Sequence, residues 1–416
     1  MVEQNRKKTV LFMRGYFMPE TAASNQMCVD YIQALSQNGY RVRLLCPVPS
    51  RGVSEEVRKA YKKKKYEQMD ENITIRRFWL PSERGGAVKR AIRYLMQNVY
   101  QVVYALTHSY DALFLYSTPP TNGAVGALLR ILKKKPFIYN LHDVFPDSLV
   151  NAGMTREGSL LWKLGNKMEQ FTYRHADRIV TVSDGIRENI LKKGVPEDKI
   201  QVVYNWVDAN KVLSIPRSEN TMLQEFGIDG SKFLVTYAGN IGEAQGVMTI
   251  LEAAVCLKDN SRIQFVIIGN GAKEEACKQL AAEQQMSNVI FVPMQGPDRL
   301  SEVYSLGDVS LVSCKAGFGT CGMPSKTGSI MSASTAVVAS FDLESELTSI
   351  LTRSQAGVCV EPGNGRALAD AILQLSENTE VCEALGKNGR KYLEQNMTKE
   401  ICIQQLVSVI KSTIGM

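Results

Sequence analysis

The feature that most constrains this chain is a regular alternation of short apolar runs with segments of helical pattern. The run "TVLFM" precedes a helical segment from about Ser24 to Asn38, in which Ser24 is a suitable N-cap and Gly39 ends the helix. Similar runs are "RVRLLCPV", "DALFLYS" and "PFIYNLH", and the rhythm restarts at "KFLVTYAGN". Uninterrupted apolar strands separated by helices predict parallel sheets that are covered by helices on both faces.

Two sets of this alternation follow one another along the 416 residues. The patterning is weakest near residues 207–221, so we predict an α/β chain of two doubly wound domains that join there. Ligands of open α/β sheets bind outside the carboxyl ends of the strands. With two such sheets facing each other, the predicted site is a cleft between the domains.

Composition limits the class of protein. Apolar residues make up 44% and charged residues 22% of the chain, which favours globular domains over disorder. The nine cysteines are scattered without a CxxC pair, so we expect buried thiols in a reducing cytosol rather than disulfides or a zinc site. No secretory segment and no run of about 18 apolar residues is visible, so we expect a cytoplasmic location.

The net charge of +7 is concentrated in the first half, in basic runs over 57–67, 84–94 and 130–136. Nucleic acid is one class of partner for such runs. However, no recognition-helix signature and no basic motif interleaved with aromatic residues accompanies them, so we expect no nucleic-acid binding. An anionic membrane surface is the other class of partner that these runs suggest.

The second basic run begins a segment with an apolar stripe at helical spacing. Lys89, Arg90 and Arg93 crowd its start. The stripe consists of Val88, Ile92, Leu95, Val99, Val102 and Leu106. This pattern predicts an amphipathic helix that either packs on the sheet like an ordinary surface helix or lies at an anionic membrane.

Loops that follow the predicted strands carry the candidate functional residues of the first domain. The loop over 15–26 contains Glu20, Ala22, Ala23 and Ser24 and leads into a helix start. It is either a site for an anion or a hydroxyl group, or a simple turn with a capping serine.

A second loop of the first domain, "HDVFPDS", follows the strand "PFIYNL" and places His142 beside Asp143. Either side chain is able to take a proton or to hydrogen-bond a sugar hydroxyl. The alternative is a loop in which the two residues are only structural.

The second domain contains the stretch "FGTCGMPSKTGSIMSAS", in which glycines precede Pro324 and a predicted helix start. Lys326 adds a positive charge where free backbone amides and the helix dipole meet, so the stretch predicts an anion site. A solvated lysine at a helix start is the alternative. The loop "AGNIGEAQG" and the pair Gly269 and Gly271 also follow strands, although a lone GxG is weak evidence for a dinucleotide site.

Several motifs in one order resemble a known family. They are "VYNWVD", "YAGNIGEAQGVMTILEAA", "FVIIGNG", "MPSKTGSIMSASTAVVAS" and "GVCVEPGN". Together they resemble retaining family-4 glycosyltransferases of GT-B fold, and most of all the branch that builds O-antigen, capsule and colanic acid and includes fucosaminyl transferases. The resemblance implies an acceptor-binding domain over 1–206, a donor-binding domain over 207–397 and a last helix over 398–416 that crosses back to the first domain.

The resemblance also implies chemistry: a nucleotide-sugar donor, retention of the anomeric configuration, and neither a metal nor a cofactor. Together with the positions of the loops, it leads us to expect catalysis by Asp143, His142 and Lys326 and an acceptor side at Glu20, Ala22, Ala23 and Ser24. The implied donor-binding residues are Gly239, Asn240, Gln245, Gly269, Gly271, Pro293, Met294, Gln295, Phe318, Gly319, Thr320, Ser325, Lys326 and Thr327.

The chain departs from the family pattern at several positions. Cys321 and Ser329 stand where many members carry an E-x7-E pair, and Asn240 and Gln245 stand where many carry Arg and Lys. Ser334 replaces a usual glycine, and Ala22 with Ala23 replaces a Gly-Gly loop. Lys326 is therefore the clearest cation left for a donor diphosphate.

We therefore expect transfer of a sugar, with an N-acetylated aminosugar as one candidate, from a UDP-sugar to a saccharide carried on polyprenyl diphosphate at the inner membrane face. The alternative is a non-catalytic scaffold or regulatory partner with a degenerate site. A dehydrogenase or epimerase on two Rossmann domains is a third interpretation, and it lacks the dinucleotide fingerprint.

Overall fold

The computed structural model describes residues 6–20, 23–81, 86–151, 154–317 and 324–415. The chain divides into two compact units. Unit 1 comprises Met1–Asn205 with Cys402–Met416, and unit 2 comprises Trp206–Ile401.

Unit 1 is built on an eight-stranded sheet. Its strands are β1 (Thr9–Met13), β2 (Arg41–Pro47), β3 (Tyr66–Gln68), β4 (Ile73–Phe78), β5 (Ala112–Tyr116), β6 (Phe137–Leu141), β7 (Arg178–Thr181) and β8 (Ile200–Val202). Its helices are α1 (Ala23–Gln37), α2 (Glu55–Lys63), α3 (Gly86–Thr107), α4 (Asn122–Lys133), α5 (Asp147–Asn151), α6 (Leu160–His175) and α7 (Asp184–Lys192).

The strand order in this sheet is β3-β4-β2-β1-β5-β6-β7-β8, so the order reverses between β1 and β5. All pairs are parallel except β3 with β4, which is antiparallel. The expectation of a purely parallel sheet was therefore wrong at this edge. The connection over 69–72 is too short for a crossover, and only a hairpin can form across it.

Unit 2 is built on a six-stranded parallel sheet. Its strands are β9 (Phe233–Ala238), β10 (Ile263–Ile268), β11 (Val289–Val292), β12 (Val309–Ser313), β13 (Ala336–Ser340) and β14 (Gly357–Val360). Its helices are α8 (Met222–Glu225), α9 (Val247–Cys256), α10 (Glu274–Glu283), α11 (Leu300–Ser305), α12 (Ser325–Ser332), α13 (Glu346–Ser354), α14 (Gly365–Ser376) and α15 (Thr379–Asn396). The last helix, α16 (Lys399–Gly415), lies mostly in unit 1.

The strand order of unit 2 is β11-β10-β9-β12-β13-β14. The chain moves outward in one direction from β9 to β11 and then returns to the other side of β9 with β12. The carboxyl ends of β9 and β12 thus border the crevice where the strand order reverses, which is where ligands of such sheets bind.

The α3 helix has an unexpected orientation. Arg93, Gln97 and Gln101 are buried beneath it, whereas Leu95 and Val99 of the apolar stripe are 64% and 55% exposed. Val102 of the stripe nevertheless packs on the core of unit 1 together with Ala105, and the membrane alternative stays a prediction. Arg93 donates hydrogen bonds to the carbonyl of Pro81 and to the hydroxyl of Ser50, so it cannot belong to a surface cluster of cations.

Helix α4 lies very close to the sheet because it has a glycine at the contact. A Cβ atom at Gly126 would lie 2.2 Å from the ring of Phe137 in β6. We therefore expect Gly126→Ala to force α4 away from the sheet and to cost about 1–3 kcal/mol of stability. Thermal unfolding of the full chain measures this loss. An unchanged unfolding midpoint would contradict the close contact.

Candidate active site

A cavity of about 530 Å³ lies within unit 2, at the carboxyl ends of β9 and β12. The loops after both strands, the start of α12 and the end of β13 contribute to its walls. Its lining residues are Tyr237, Ala238, Gly239, Asn240, Ala244, Gln245, Tyr304, Ser313, Cys314, Pro324, Ser325, Lys326 and Phe341. The structure thus brings together five residues that the sequence predicted, namely Gly239, Asn240, Gln245, Ser325 and Lys326.

Lys326 alone is charged among the described residues that line this cavity. Its Nζ donates to the carbonyl of Ala238 at 3.2 Å and lies 3.8 Å from the centre of the Tyr237 ring. Burial lowers the pKa of Lys326 to about 7, because the ammonium loses water. A carbonyl and an aromatic face offset only part of this loss, so an anion in the cavity would be bound favourably.

Two helices begin at the cavity. Helix α12 starts at Ser325 after Pro324, and α9 starts at Val247 directly after Gly246. Gly246 has a left-handed φ of 59°, and a Cβ there would lie 2.9 Å from the carbonyl oxygen of Cys314. A glycine is therefore needed for this close approach, and the amide ends of both helices favour negative charge nearby.

The two positions where family members carry basic residues hold neutral amides. The Nδ2 of Asn240 donates to the Oε1 of Gln245 at 2.9 Å. The only carboxylate of this loop, Glu243, is exposed and pairs with Lys273 and Lys315 at 2.9 and 3.0 Å. Lys273 and Lys315 thus share one carboxylate, whereas Lys326 has no carboxylate among the described residues that line the cavity.

Thr327 follows Lys326 in α12. Its amide donates to the carbonyl of Pro324 at 3.0 Å, and its buried Oγ1 has no hydrogen-bond partner among the described residues. The amide of Thr327 is thus engaged at the helix start, which leaves Ser325 as the better candidate for a backbone donor. Ser334, after this helix, adopts a left-handed φ of 58°, which explains why glycine is usual there.

The remaining predicted donor residues lie elsewhere or outside the described residues. Gly269 and Gly271 follow β10, and Pro293, Met294 and Gln295 follow β11, one and two strands away from β9. They are not among the described residues that line the cavity, and their donor roles stay predictions. Phe318, Gly319, Thr320, Cys321 and Ala22 lie outside the described residues.

His142 and Asp143 follow β6 in unit 1. The amide of His142 donates to the hydroxyl of Ser117 at 3.0 Å. Burial, with the charge of Arg14, lowers the pKa of His142 to about 4, so this imidazole is neutral and only weakly basic near pH 7. Partial desolvation of its carboxylate raises the pKa of Asp143 above its ordinary value, although hydrogen bonds from Ser148 and Val144 lower it.

Glu20 and Ser24 have structural partners in unit 1. The carboxylate of Glu20 is buried and accepts hydrogen bonds from the amides of Phe17, Ser50 and Arg51 at 3.1, 2.8 and 2.9 Å. It therefore ties the loop after β1 to the loop after β2. The acceptor-side role of Glu20, Ala23 and Ser24 stays a prediction.

Sequence reasoning missed Arg14, which follows β1. Its buried guanidinium donates to the carbonyl and hydroxyl oxygens of Ser24 at 2.9 and 3.0 Å and lies 4.1 Å from the centre of the Tyr116 ring. Tyr237, Tyr304, Ser313 and Phe341 were also missed in unit 2. The position of Arg14 and Phe341 directly after a strand is the signal that would have identified them.

Two family profiles cover most of the chain. Residues 24–211 match Glycosyltransferase Family 4, and residues 218–392 match Glycosyl transferases group 1. The chain is a family-4 glycosyltransferase. WbjE of Pseudomonas aeruginosa, described as a glycosyltransferase, is 27% identical to it over 69% of this chain and 71% of its own length. WcaI of Escherichia coli, described as a colanic acid biosynthesis glycosyl transferase, is 26% identical over 68% and 70%.

Solved structures share the fold. HepE of Anabaena, in complex with UDP, superposes with a TM-score of 0.68 at 15% identity, over 98% of this chain and all of that chain. This likeness confirms the predicted GT-B architecture of two α/β domains. No described helix of the glycosyltransferase is long and apolar enough to cross a membrane. Among its described residues, no group of three or more His, Cys, Asp or Glu side chains is placed to hold a metal ion.

The lowered pKa of Lys326 predicts that the affinity for UDP depends on pH. Below about pH 7 the Lys326 ammonium is already charged, so this lysine adds no pH dependence to the affinity there. Above it, binding of the diphosphate raises the pKa and must take up a proton, so affinity should fall by roughly tenfold per pH unit. Calorimetric titration in buffers of different ionisation enthalpy measures both quantities.

Lys326→Arg is the matched control, because an arginine stays charged at any accessible pH. Its affinity for UDP should not change between about pH 7.5 and pH 9, where UDP itself is fully ionised. The same pH dependence in this variant and in the wild type would show that another group takes up the proton.

Proposed function

We propose that this glycosyltransferase transfers a sugar from a UDP-sugar to a lipid-linked saccharide during assembly of a bacterial surface polysaccharide such as O-antigen or capsule. The transfer is a retaining hexosyl transfer without a metal, and an N-acetylated aminosugar is a candidate donor. UDP complexes of HepE and the role of WcaI in colanic acid synthesis support the donor and the pathway class. The acceptor is carried on polyprenyl diphosphate, and the enzyme is a cytoplasmic protein on the inner membrane face.

The observation that carries this proposal is the half-buried Lys326 at the strand-order reversal of unit 2, whose ammonium has no anionic partner among the described residues that line the cavity. A nucleotide diphosphate supplies the missing negative charge. The volume of about 530 Å³ falls in the range of small-molecule sites, which suits the diphosphate with part of the nucleoside or sugar.

Transfer of the sugar requires stabilisation of the leaving diphosphate. As the bond between the anomeric carbon and the diphosphate oxygen breaks, negative charge grows on that oxygen. The Lys326 ammonium and the amide end of α12 stabilise this charge more strongly in the transition state than in the ground state. The leaving phosphate accepts the proton of the acceptor hydroxyl on the same face of the sugar, and the hydroxyl oxygen forms the new bond there with retention.

Lys326→Ala should therefore reduce turnover more than it weakens donor binding. Loss of one well-placed donor to developing charge costs about 2.7–4 kcal/mol, which corresponds to a roughly 100- to 1,000-fold lower rate. Lys326→Arg should rescue poorly, because its planar fork does not reproduce a point charge. A solvated lysine would instead give an effect within about 0.5 kcal/mol in steady-state kinetics.

Asp143→Asn tests the acceptor side. This change keeps the shape of the side chain and removes the negative charge that favours an oxocarbenium-like sugar. We expect turnover to fall while the affinity for UDP changes little. Asp198→Asn is a matched control, because Asp198 is an exposed carboxylate of the same unit at the amino end of β8. Normal turnover in Asp143→Asn would remove Asp143 from the mechanism.

A non-catalytic scaffold is the second candidate, and the neutral Asn240–Gln245 pair in place of two cations favours it. The two functions differ in one measurement. A scaffold binds UDP without hydrolysing or transferring any sugar in a panel of UDP-sugars, whereas an enzyme turns over at least one of them.

A further inference from the structure

Helices α3, α4 and α6 of unit 1 form a continuous exposed surface of large apolar side chains. We call this surface the apolar face. Its members include Leu95, Val99 and Val103 of α3, Leu128 and Leu132 of α4, and Leu164 of α6, each at least 40% exposed. The three helices pack side by side, so these side chains form one patch. Patches of this kind on a protein surface mark an interaction site.

The polarity of the first part of α3 is inverted relative to a helix whose outer side faces water, whereas Tyr100, Val102, Tyr104 and Ala105 further along the helix pack on the core of unit 1. Its inner side carries Arg93, Gln97 and Gln101, which are at most 1% exposed. Both amide atoms of Gln101 lack a hydrogen-bond partner among the described residues. A water-exposed helix places its apolar stripe inward. The opposite arrangement indicates that the outer side of α3 meets an apolar medium.

A groove of about 450 Å³ runs through the apolar face between α3 and α4. Val99, Val102 and Val103 form one wall, and Ala124 and Leu128 form the other. Apolar side chains on both walls suit a hydrocarbon chain.

One end of the groove is polar. Thr121 and Asn98 lie there, and the Thr121 hydroxyl donates to the Asn98 Oδ1 at 3.3 Å. Thr121 starts α4 just after the loop that follows β5. A Cβ at Gly15, in the loop after β1, would lie 3.0 Å from the carbonyl oxygen of Thr118 and 3.1 Å from Pro119. The polar end thus borders the loops that precede α1 and α4, on the side of the predicted acceptor residues.

Positive charges near the polar end of the groove favour a ligand with an anionic head group. Lys89 and Arg90 are exposed at the start of α3, two helical turns or about 12 Å before Asn98. Neither α3 nor α4 contains an acidic residue. This arrangement matches a lipid whose diphosphate meets the cations while its chain enters the groove.

We propose that the groove holds the isoprenoid chain next to the diphosphate of the acceptor's lipid carrier. This inference rests on the proposed function, in which the acceptor is a polyprenyl-diphosphate-linked saccharide. The surrounding apolar face lies in the membrane interface, and the polar end of the groove directs the saccharide towards the loops after β1 and β5.

The test measures binding of geranylgeranyl diphosphate to the full chain by calorimetry, with UDP at saturation so that the diphosphate head cannot enter the cavity at Lys326. Isopentenyl diphosphate supplies the head group with one isoprene unit. Lysophosphatidylglycerol supplies an anionic head with a linear acyl chain. We expect geranylgeranyl diphosphate to bind at least tenfold more tightly than either, because several isoprene carbons leave water in the groove.

Two variants alter the groove. Ala124→Phe fills it and Val99→Asn makes its wall polar, and each should weaken binding of geranylgeranyl diphosphate at least tenfold. Ala91→Phe, at an exposed position of α3 outside the groove, is the matched control and should bind like the wild type. Thermal unfolding and UDP binding by each variant show that it is folded.

Three results would overturn the proposal: no binding of geranylgeranyl diphosphate, equal binding of lysophosphatidylglycerol, or wild-type binding by both groove variants in folded protein. Dimerisation that depends on Val99 and excludes the lipid would assign the face to a second copy instead. Failure of UDP to bind concerns only the proposed function, and the lipid titration is then made with Lys326→Ala, in which the donor cavity has no cation to hold the diphosphate head.

Discussion

Lys326 places its ammonium over the ring of Tyr237, 3.2 Å from the carbonyl of Ala238 and without a carboxylate in the described lining of its cavity. This arrangement depends on the rest of unit 2. The parallel order of β9 and β12 brings the helix start at Ser325 beside the end of β9. Gly246 allows the loop after β9 to approach the end of β12. The sheet therefore positions a cation that has no anionic partner among the described residues that line the cavity.

The two units differ in how the cation at the end of a strand is paired. In unit 1, the buried cation at a strand end is Arg14, but its guanidinium already has the oxygens of Ser24 and the ring of Tyr116 as partners. Arg14 therefore organises the loops, and its charge adds to the larger effect of burial in lowering the pKa of His142. The apolar face of α3, α4 and α6 gives unit 1 a different ligand chemistry, which suits the lipid part of an acceptor.

The strands and most helices could be predicted from the sequence because apolar runs and caps are local signals, as for α1 before Gly39. The helix start at Ser325 was predicted for the same reason. The burial of Lys326 could not be predicted, since it depends on Tyr237, an aromatic strand residue that is typical of a core. The orientation of α3 could not be predicted either, because its apolar stripe has the same period whether it faces the sheet or the surface. Strand β3 could not be predicted, because three residues are too few to show an alternation of apolar and polar side chains.

The titration of the Lys326 ammonium by NMR, with 15N-labelled lysine and Lys326→Arg to assign the signal, tests the central claim most directly. In the free protein we expect a pKa of about 7, because the buried charge has no anionic partner. Saturation with UDP should raise this pKa towards or above the ordinary lysine value of about 10.4. A pKa that is ordinary in the free protein, or one that UDP leaves unchanged, would contradict the assignment of Lys326 to the donor diphosphate.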